Sequence, residues 1–181
     1  LLVVAPLHGR GNKSGDGEGV RLLGYRPPQS AGGEWSTSLL DGTLHMTHNI
    51  DPVQWDEDAE EELLVIGREG VFLLDGADEG RCGKQRGEGA RAVAGSSRGA
   101  PGLWKRHLVD DSLKAGHAVA CGDLAGRGSD QVVVGWRLPD AHGRVGIRLY
   151  TPEDATGARW SKTLVDDNTM ACEDLRLADL D

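Results

Sequence analysis

Trp104-Lys-Arg-His-Leu108-Val109-Asp110 is the stretch that decides the fold, because its pattern occurs three times along the chain. The other copies are Trp35-Ser-Thr-Ser-Leu39-Leu40-Asp41 and Trp160-Ser-Lys-Thr-Leu164-Val165-Asp166. In each copy an apolar pair follows Trp by four and five residues, and an Asp follows it by six. Recurrence of a pattern in one register is the sequence signature of a repeat architecture.

Each copy of this pattern leads into an acidic turn and then into short apolar runs. Residues 118–135 and 53–67 pass from acidic positions into a β-branched or aliphatic run, and residues 175–181 begin the same passage. A further short strand is expected at 70–74 and at 146–150, while 1–5 and 19–25 form the same pair in an earlier copy. Four short strands per unit are typical of one β-propeller blade.

The sequence therefore predicts an all-β fold, an incomplete propeller of about two and a half four-stranded blades from a parent of about seven. Residues 1–74 hold a partial blade and the first full blade, and residues 103–181 hold the second full blade and the start of a third. The Gly- and Arg-rich stretch 75–102 has few apolar residues to bury, so we expect a loop or disordered linker. Ring closure would need the rest of the parent propeller or another copy of the chain.

Composition excludes several classes of function. The 181 residues include 20 Lys and Arg against 29 Asp and Glu, and the net charge of −9 repels phosphate backbones, so we expect no nucleic-acid partner. Apolar runs are only of strand length, which predicts no membrane span. Three cysteines without a CxxC pair and the lack of a signal-peptide pattern favour a cytoplasmic location.

The turn Asp123-Leu-Ala-Gly-Arg-Gly-Ser-Asp130, followed by Gln-Val-Val-Val, resembles the FG-GAP (VCBS-type) propeller repeat, whose turn reads D-x-D-G-D-G-x-x-D. The start at Asp179-Leu-Asp181 is similar to another copy. In that family the turn can hold Ca²⁺ through carboxylate and carbonyl oxygens. Ala125 and Arg127 replace two of its acidic positions, which weakens a Ca²⁺ site there.

The acidic residues Asp56, Asp58 and Glu60 occupy the corresponding turn of the first full blade, and the resemblance implies Ca²⁺ as their ligand. The alternative is a solvated acidic loop, because six of the seven residues 56–62 are acidic.

Several connecting phrases resemble the propeller domain of the aldos-2-ulose dehydratase/isomerase family and its bacterial FG-GAP relatives. They are Ala5-Pro-Leu-His8-Gly, Leu44-His45-Met-Thr-His48-Asn, Ala115-Gly-His117-Ala-Val and Ala171-Cys-Glu173-Asp174-Leu. The resemblance implies a metal-dependent carbon-oxygen lyase (a hydro-lyase) that removes water from a keto-sugar such as 1,5-anhydro-fructose.

The candidate site follows from the repeat register. The residue seven positions after the repeat Asp is His48, His117 or Glu173 in the three copies. Equivalent positions of successive blades lie on a ring, so these three side chains should converge near the mouth of the central channel. They are our candidates for catalysis and for a divalent metal, Zn²⁺ or a similar ion. Without a metal, a His could instead take the acidic proton next to a sugar carbonyl.

Four further residues are candidate substrate contacts: His8, His45, Arg137 and Trp136. The repeat residues Trp35, Trp104 and Trp160 are expected to pack between blades rather than bind sugar. Two other functions stay open. The chain could be a non-catalytic FG-GAP propeller that acts as a binding or scaffold module, or a propeller-type polysaccharide lyase. A ring of His, His and Glu favours an enzyme, and an apolar ring would favour the scaffold.

Overall fold

The computed structural model describes residues 1–13, 15–55, 61–76, 103–154 and 157–180. Within these ranges the chain is all-β, as the sequence predicts, with no helix and eleven strands in three antiparallel sheets. The strands are β1 (Leu2–Val4), β2 (Leu22–Arg26), β3 (Ser36–Asp41), β4 (Thr47–Val53), β5 (Glu62–Gly67), β6 (Gly70–Asp75), β7 (Lys105–Asp110), β8 (Lys114–Gly122), β9 (Gln131–Leu138), β10 (Gly146–Pro152) and β11 (Trp160–Asp167).

Each sheet is a meander of strands that follow one another in the chain. The first sheet has the order β1-β2-β3, the second β4-β5-β6-β7, and the third β8-β9-β10-β11. Most of the predicted stretch 75–102 lies outside the described residues.

The second sheet lies between the other two and is buried on both faces. Side chains alternate across a strand, so Leu63 and Val65 of β5 pack with the first sheet, whereas Leu64 and Ile66 pack with the third. Strand β6 divides its side chains in the same way. This double burial explains why β5 and β6 are continuous apolar runs instead of alternating patterns.

The three sheets share one irregularity, a β-bulge next to the repeat Asp of the last strand. Leu40, Val109 and Val165 are the residues that the pairing skips. The Asp that follows each of them accepts hydrogen bonds from backbone amides of the next turn: Asp41 from Thr43 and Leu44, Asp110 from Ser112, and Asp166 from Thr169 and Met170. The Asp thus fixes the turn that leads from one sheet to the next.

The repeat Trp residues differ in their surroundings. Trp104 packs against the core between the first and second sheets, and Trp160 against the core between the second and third, as expected. Trp35 is exposed, so the expectation was wrong for this residue. The first sheet begins the series, and it has no described sheet on its outer side against which Trp35 could pack.

Candidate functional site

Two matching bulges position the two histidines. In the pairing of β4 with β5 the register shifts between Thr47 and Asn49, which leaves His48 as the extra residue. In the pairing of β8 with β9 it shifts between Gly116 and Ala118, which leaves His117 as the extra residue. A bulge changes the direction of its side chain, and bulges are frequent beside active sites.

The structure brings His48, His117 and Glu173 together, as the register suggested. The imidazole rings of His48 and His117 stack with centroids 3.6 Å apart and an angle of 24° between their planes. His117 Nδ1 lies 3.0 Å from Glu173 Oε2. The other carboxylate oxygen of Glu173, Oε1, lies 3.1 Å from Nε of Arg137. Arg137, which the sequence assigned to substrate binding, is therefore part of the same cluster.

Residue Glu173 belongs to the segment 171–180, which forms no strand but is hydrogen-bonded to β4 and β9. The Cys172 amide donates to the Trp136 carbonyl at 3.3 Å, and Asn49 Nδ2 donates to Asp174 Oδ1 at 3.3 Å. Gly135 is required beneath this segment, because a Cβ there would lie 2.3 Å from Cys172 Sγ. These contacts keep the Glu173 carboxylate within reach of His117.

Both imidazoles are held in their neutral form at neutral pH. Burial, followed by the neighbouring His117 and Arg137, lowers the pKa of His48 to about 4. Burial also lowers the pKa of His117, and although Glu173 raises it and Arg137 lowers it, the net direction is downward. The His117 side chain is only 12% exposed. A neutral imidazole keeps one ring nitrogen free to accept a proton.

The carboxylate decides which nitrogen of His117 is free. Because the Glu173 Oε2 lies 3.0 Å from Nδ1 of His117, its negative charge favours the neutral tautomer with the proton on Nδ1, which leaves Nε2 as the acceptor. Arg137 holds the opposite side of the carboxylate and so orients it. The cluster therefore has the parts of a general base: an acceptor nitrogen, a carboxylate that fixes its tautomer, and a guanidinium that fixes the carboxylate.

The same geometry is less suited to one shared metal ion. Ligand lone pairs lie in the plane of an imidazole, and the planes of His48 and His117 are stacked rather than directed at a common point. His117 Nδ1 is already bound to Glu173. Among the residues that the structure describes, no three His, Cys, Asp or Glu side chains are placed to hold a metal ion. The divalent metal at His48, His117 and Glu173 stays a prediction.

His8 and His45 have different surroundings. His8 forms a β-bridge with Met46, two residues before His48, and its buried Nδ1 has no hydrogen-bond partner in the part of the chain that the structure describes. Its charge contributes to the lowered pKa of His48, so it belongs to the edge of the cluster. His45 is bound instead to Glu69: its amide and its Nδ1 lie 2.8 and 3.1 Å from Oε1. That pair holds the turn between β5 and β6 against the chain before β4.

Trp136 is not a substrate contact in this structure, contrary to the expectation. Its ring is fully buried in the core between the second and third sheets, and its Nε1 donates to the Arg144 carbonyl at 2.7 Å. The sequence placed it in the channel because it adjoins Arg137. Since side chains alternate across β9, Trp136 lies on the face opposite the exposed Arg137 and packs into the core.

The acidic turns divide into two cases. Asp123 accepts hydrogen bonds from the backbone amides of Arg127 and Gly128 at 2.8 and 2.7 Å, so the turn is closed by its own donors. Asp56, Asp58 and Glu60 lie outside the described residues, as does Asp181. Asp179 is exposed.

A buried charged network between the second and third sheets was missed by the sequence reasoning. Asp110 accepts hydrogen bonds from Tyr150 Oη at 2.5 Å and Arg148 Nη1 at 3.1 Å, and Lys162 Nζ lies 2.9 Å from it. Arg148 also binds Asp140 at 2.8 Å. The available signal was the repeat itself. Lys162 and Arg106 both stand two residues after the repeat Trp, and Arg106 correspondingly lies 3.9 Å from Asp41.

No family model matches the chain, and no curated protein matches it. Across the described ranges, no helix is long and apolar enough to cross a membrane.

Proposed function

We propose that the chain is part of a sugar lyase or dehydratase in which His117 is the general base, Glu173 and Arg137 hold it, and His48 shields it. The observation that carries the proposal is the His48–His117–Glu173 cluster: a ring stack at 3.6 Å joined to a carboxylate contact at 3.0 Å. Each member comes from the same register position of a different sheet or segment. A shared site requires three side chains from one register position to meet. Three polar residues that each cap a separate strand would have no reason to do so.

The proposed architecture is an incomplete β-propeller of the FG-GAP type, with each meander as a blade. The stacking of the second sheet between the other two and the bulge at the same place in all three support it. In this arrangement β4, β8 and the segment 171–180 are the innermost elements of successive blades. The cluster would then face the central channel, where a substrate can enter.

The reaction would be elimination next to a carbonyl. His117 Nε2 takes the proton from the carbon α to the carbonyl of a keto-sugar, and the C–H electron pair forms the new double bond. The C–O bond of the β-hydroxyl breaks, and hydroxide leaves as water with the proton that the imidazolium returns. Burial of both rings favours the neutral base that begins this cycle. A divalent metal, if one binds, would polarise the carbonyl.

The test is dehydration of 1,5-anhydro-fructose by the purified chain, followed by the absorbance of the conjugated product. We expect His117→Gln to lower kcat/KM at least ~100-fold, the usual contribution of a general base. His142→Gln is the matched control, because His142 lies in an exposed turn. The acid limb of the kcat/KM profile should have a midpoint below the ordinary His value of about 6.5, since the pKa of His117 is lowered.

Equal activity of His117→Gln and wild type would contradict the proposal. Elemental analysis of the same samples would test the predicted metal. A stoichiometric transition metal that is present in the wild type and lost in His117→Gln would support a metal-dependent reaction at this site. Complete inactivity of a folded, intact chain on both keto-sugars and uronate polymers would favour the non-catalytic propeller that binds or scaffolds.

A polysaccharide lyase is the second candidate, and Arg137 is the observation that favours it. Its guanidinium is half exposed beside the imidazole pair, where it could neutralise the carboxylate of a uronate while His117 takes the α proton. Release of unsaturated ends from a uronate polymer, together with no activity on keto-sugars, would favour the polysaccharide lyase. We expect Arg137→Met to abolish that release.

A further inference from the structure

The two outer sheets expose apolar faces that correspond to buried faces of the second sheet. In β1, Val3 packs toward the second sheet, so Leu2 and Val4 lie on the opposite face and are exposed. At the other end, Val165 of β11 is exposed, although its equivalents Leu40 and Val109 are buried in the junctions between sheets. These outer faces therefore carry the apolar residues that are buried between neighbouring sheets elsewhere in the molecule, but no sheet covers them among the described residues.

Polar groups on the two faces are complementary as well. In the third sheet, Ile147 pairs with the repeat residue Asp166, and Tyr150 follows Ile147 by three residues. The Tyr150 hydroxyl donates a hydrogen bond to Asp110 of the second sheet. Tyr25 has the same place in the first sheet, three residues after Leu22, the partner of Asp41. Asp166 has the place of Asp110, and among the described residues its carboxylate binds only Thr169 and Met170. Tyr25 and Asp166 would meet if the first sheet stacked on the third.

The first sheet has an unpaired edge among the described residues, and the segment 171–180 offers an unpaired strand-like stretch. The second and third sheets have four strands and the first has three, so that one edge of β1 is unpaired among the described residues. The segment 171–180 has the register of β4 and β8, seven residues from the repeat Asp to Glu173, yet it pairs with no described strand. Transferring the β4–β5 register, in which Ile50 pairs with Val65, would place Leu175 opposite Val4.

We propose that these surfaces bind a second copy of this chain, head to tail. The third sheet of one copy stacks on the first sheet of the other, and segment 171–180 completes that first sheet as its innermost strand. Two copies form two identical junctions, and six sheets lie within the range of about four to eight blades that closed propellers have. This inference rests on the proposed propeller arrangement of the sheets and is independent of the lyase chemistry.

The first experiment measures the mass of the purified chain in solution by size exclusion with light scattering. We expect twice the mass of the 19.3 kDa chain over a wide concentration range. Leu2→Lys should shift the mass to that of one chain, because it places a charge in the junction. Leu124→Lys is the control: Leu2 and Leu124 are each 53% exposed, but Leu124 lies in a turn outside the junction. Far-UV circular dichroism checks that both variants are folded.

A second experiment tests the strand register. In a background without the native cysteines, chains that carry Val4→Cys are mixed with chains that carry Leu175→Cys and are oxidised. We expect a disulfide-linked pair, since directly opposite residues of paired strands bring their Cβ atoms within about 4.5–5.5 Å. Val3→Cys in place of Val4→Cys should give no such pair, because its side chain lies on the other face.

A single-chain mass at all concentrations, a mass above that of two chains, or a dimer that Leu2→Lys leaves intact would overturn the inference. Equal cross-linking by Val3→Cys and Val4→Cys would do the same. Lyase activity of a monomeric chain would overturn this inference alone, whereas an intact dimer without any lyase activity would overturn the proposed function alone.

Discussion

The folded structure disfavours the protonated form of His48. Its ring lies half-buried against His117, with Arg137 nearby, and its pKa is about 4 instead of the ordinary value of about 6.5. The folded chain therefore binds fewer protons than the unfolded chain between these two values. By linkage, the stability from a neutral His48 is fully present above the unfolded pKa and is lost as the pH falls through the folded one.

We therefore predict that acidification from pH 7 to pH 5 destabilises the wild type more than His48→Gln, by ~1–2 kcal/mol in the free energy of unfolding. The full linkage value is reduced because solvent reaches the half-buried ring. Urea titrations at both pH values measure the difference. His142→Gln should respond to pH like the wild type, because His142 is exposed. A His48→Gln variant with the wild-type response would show that the folded chain tolerates the charged ring.

Residue Glu173 is predicted to act through His117 rather than on the substrate. Glu173→Gln keeps the size of the side chain beside His117 Nδ1 but removes the charge that raises the pKa of His117. We expect kcat to fall about tenfold and the acid limb of the pH profile to move to lower pH. Glu153→Gln, a change at an exposed turn, serves as the control. An unchanged midpoint of the acid limb would contradict the positioning role.

At the site, the sequence predicted which residues come together but not how their side chains contact one another. The spacing of seven residues from the repeat Asp identified His48, His117 and Glu173, because strand register converts sequence distance into place. It did not reveal that the rings stack or that Arg137 binds Glu173, since both depend on how two bulges direct their side chains. It misassigned Trp136, because one residue of difference along β9 separates the core from the opposite face.

Among the elements, the hairpin between β5 and β6 requires glycine at position 70 for two reasons, its backbone conformation and its close neighbours. Gly70 pairs with Gly67 across the turn and has a φ of 130°, and a Cβ there would lie 2.2 Å from the Asp110 carbonyl oxygen. Gly146 has the same role in the third sheet, with a φ of 149° and the Asp166 carbonyl oxygen at 2.2 Å. Close approach of the last strand to the hairpin thus requires glycine at this position of both sheets.

Gly70→Ala should destabilise the chain by ~2–4 kcal/mol, because it adds a backbone clash to an unfavourable φ. Gly126→Ala is the matched control. Gly126 also has a positive φ, 61°, but no atom of the described residues lies within 4 Å of its Cβ position, so the conformational cost of about 1 kcal/mol remains. Urea unfolding followed by circular dichroism compares the two. Equal losses would mean that β7 can move away from the hairpin without cost.

At this scale the sequence predicted the strands well and their ends less well. The strand expected at 19–25 begins at Leu22, because Gly19 and Val20 belong to the approach to Leu44, whose carbonyl accepts from the Val20 amide at 2.6 Å. The strand expected at 146–150 continues to Pro152, where it pairs with Trp160. Strand ends depend on partners that are distant in sequence, and the local pattern contains no information about them.

At the scale of the whole molecule, two kinds of contact hold the sheets together. Apolar side chains fill both junctions, and a basic residue two positions after the repeat Trp reaches the repeat Asp of the preceding sheet. The junction between the second and third sheets has the larger polar network of the two. Burial raises the pKa of Asp110, but hydrogen bonds from Tyr150, Ser112 and Lys162 outweigh it and lower the pKa to about 2. Arg148 stacks over Trp136 at 4.5 Å and joins Asp110 to Asp140.

Asp110→Ala should therefore separate the second and third sheets more readily than any exposed charge change. It leaves the Arg148 guanidinium half paired and removes the carboxylate that accepts from the Tyr150 hydroxyl in a buried junction, so we expect a loss of ~3–5 kcal/mol in the free energy of unfolding. Asp167→Ala is the control, because Asp167 forms an exposed ion pair with Arg144, worth less than about 1 kcal/mol. Because the His48–His117 stack joins the same two sheets, Asp110→Ala should also raise the KM for the sugar at temperatures where the chain stays folded. If stability and KM of Asp110→Ala matched those of Asp167→Ala, the junction would be held by its apolar core alone.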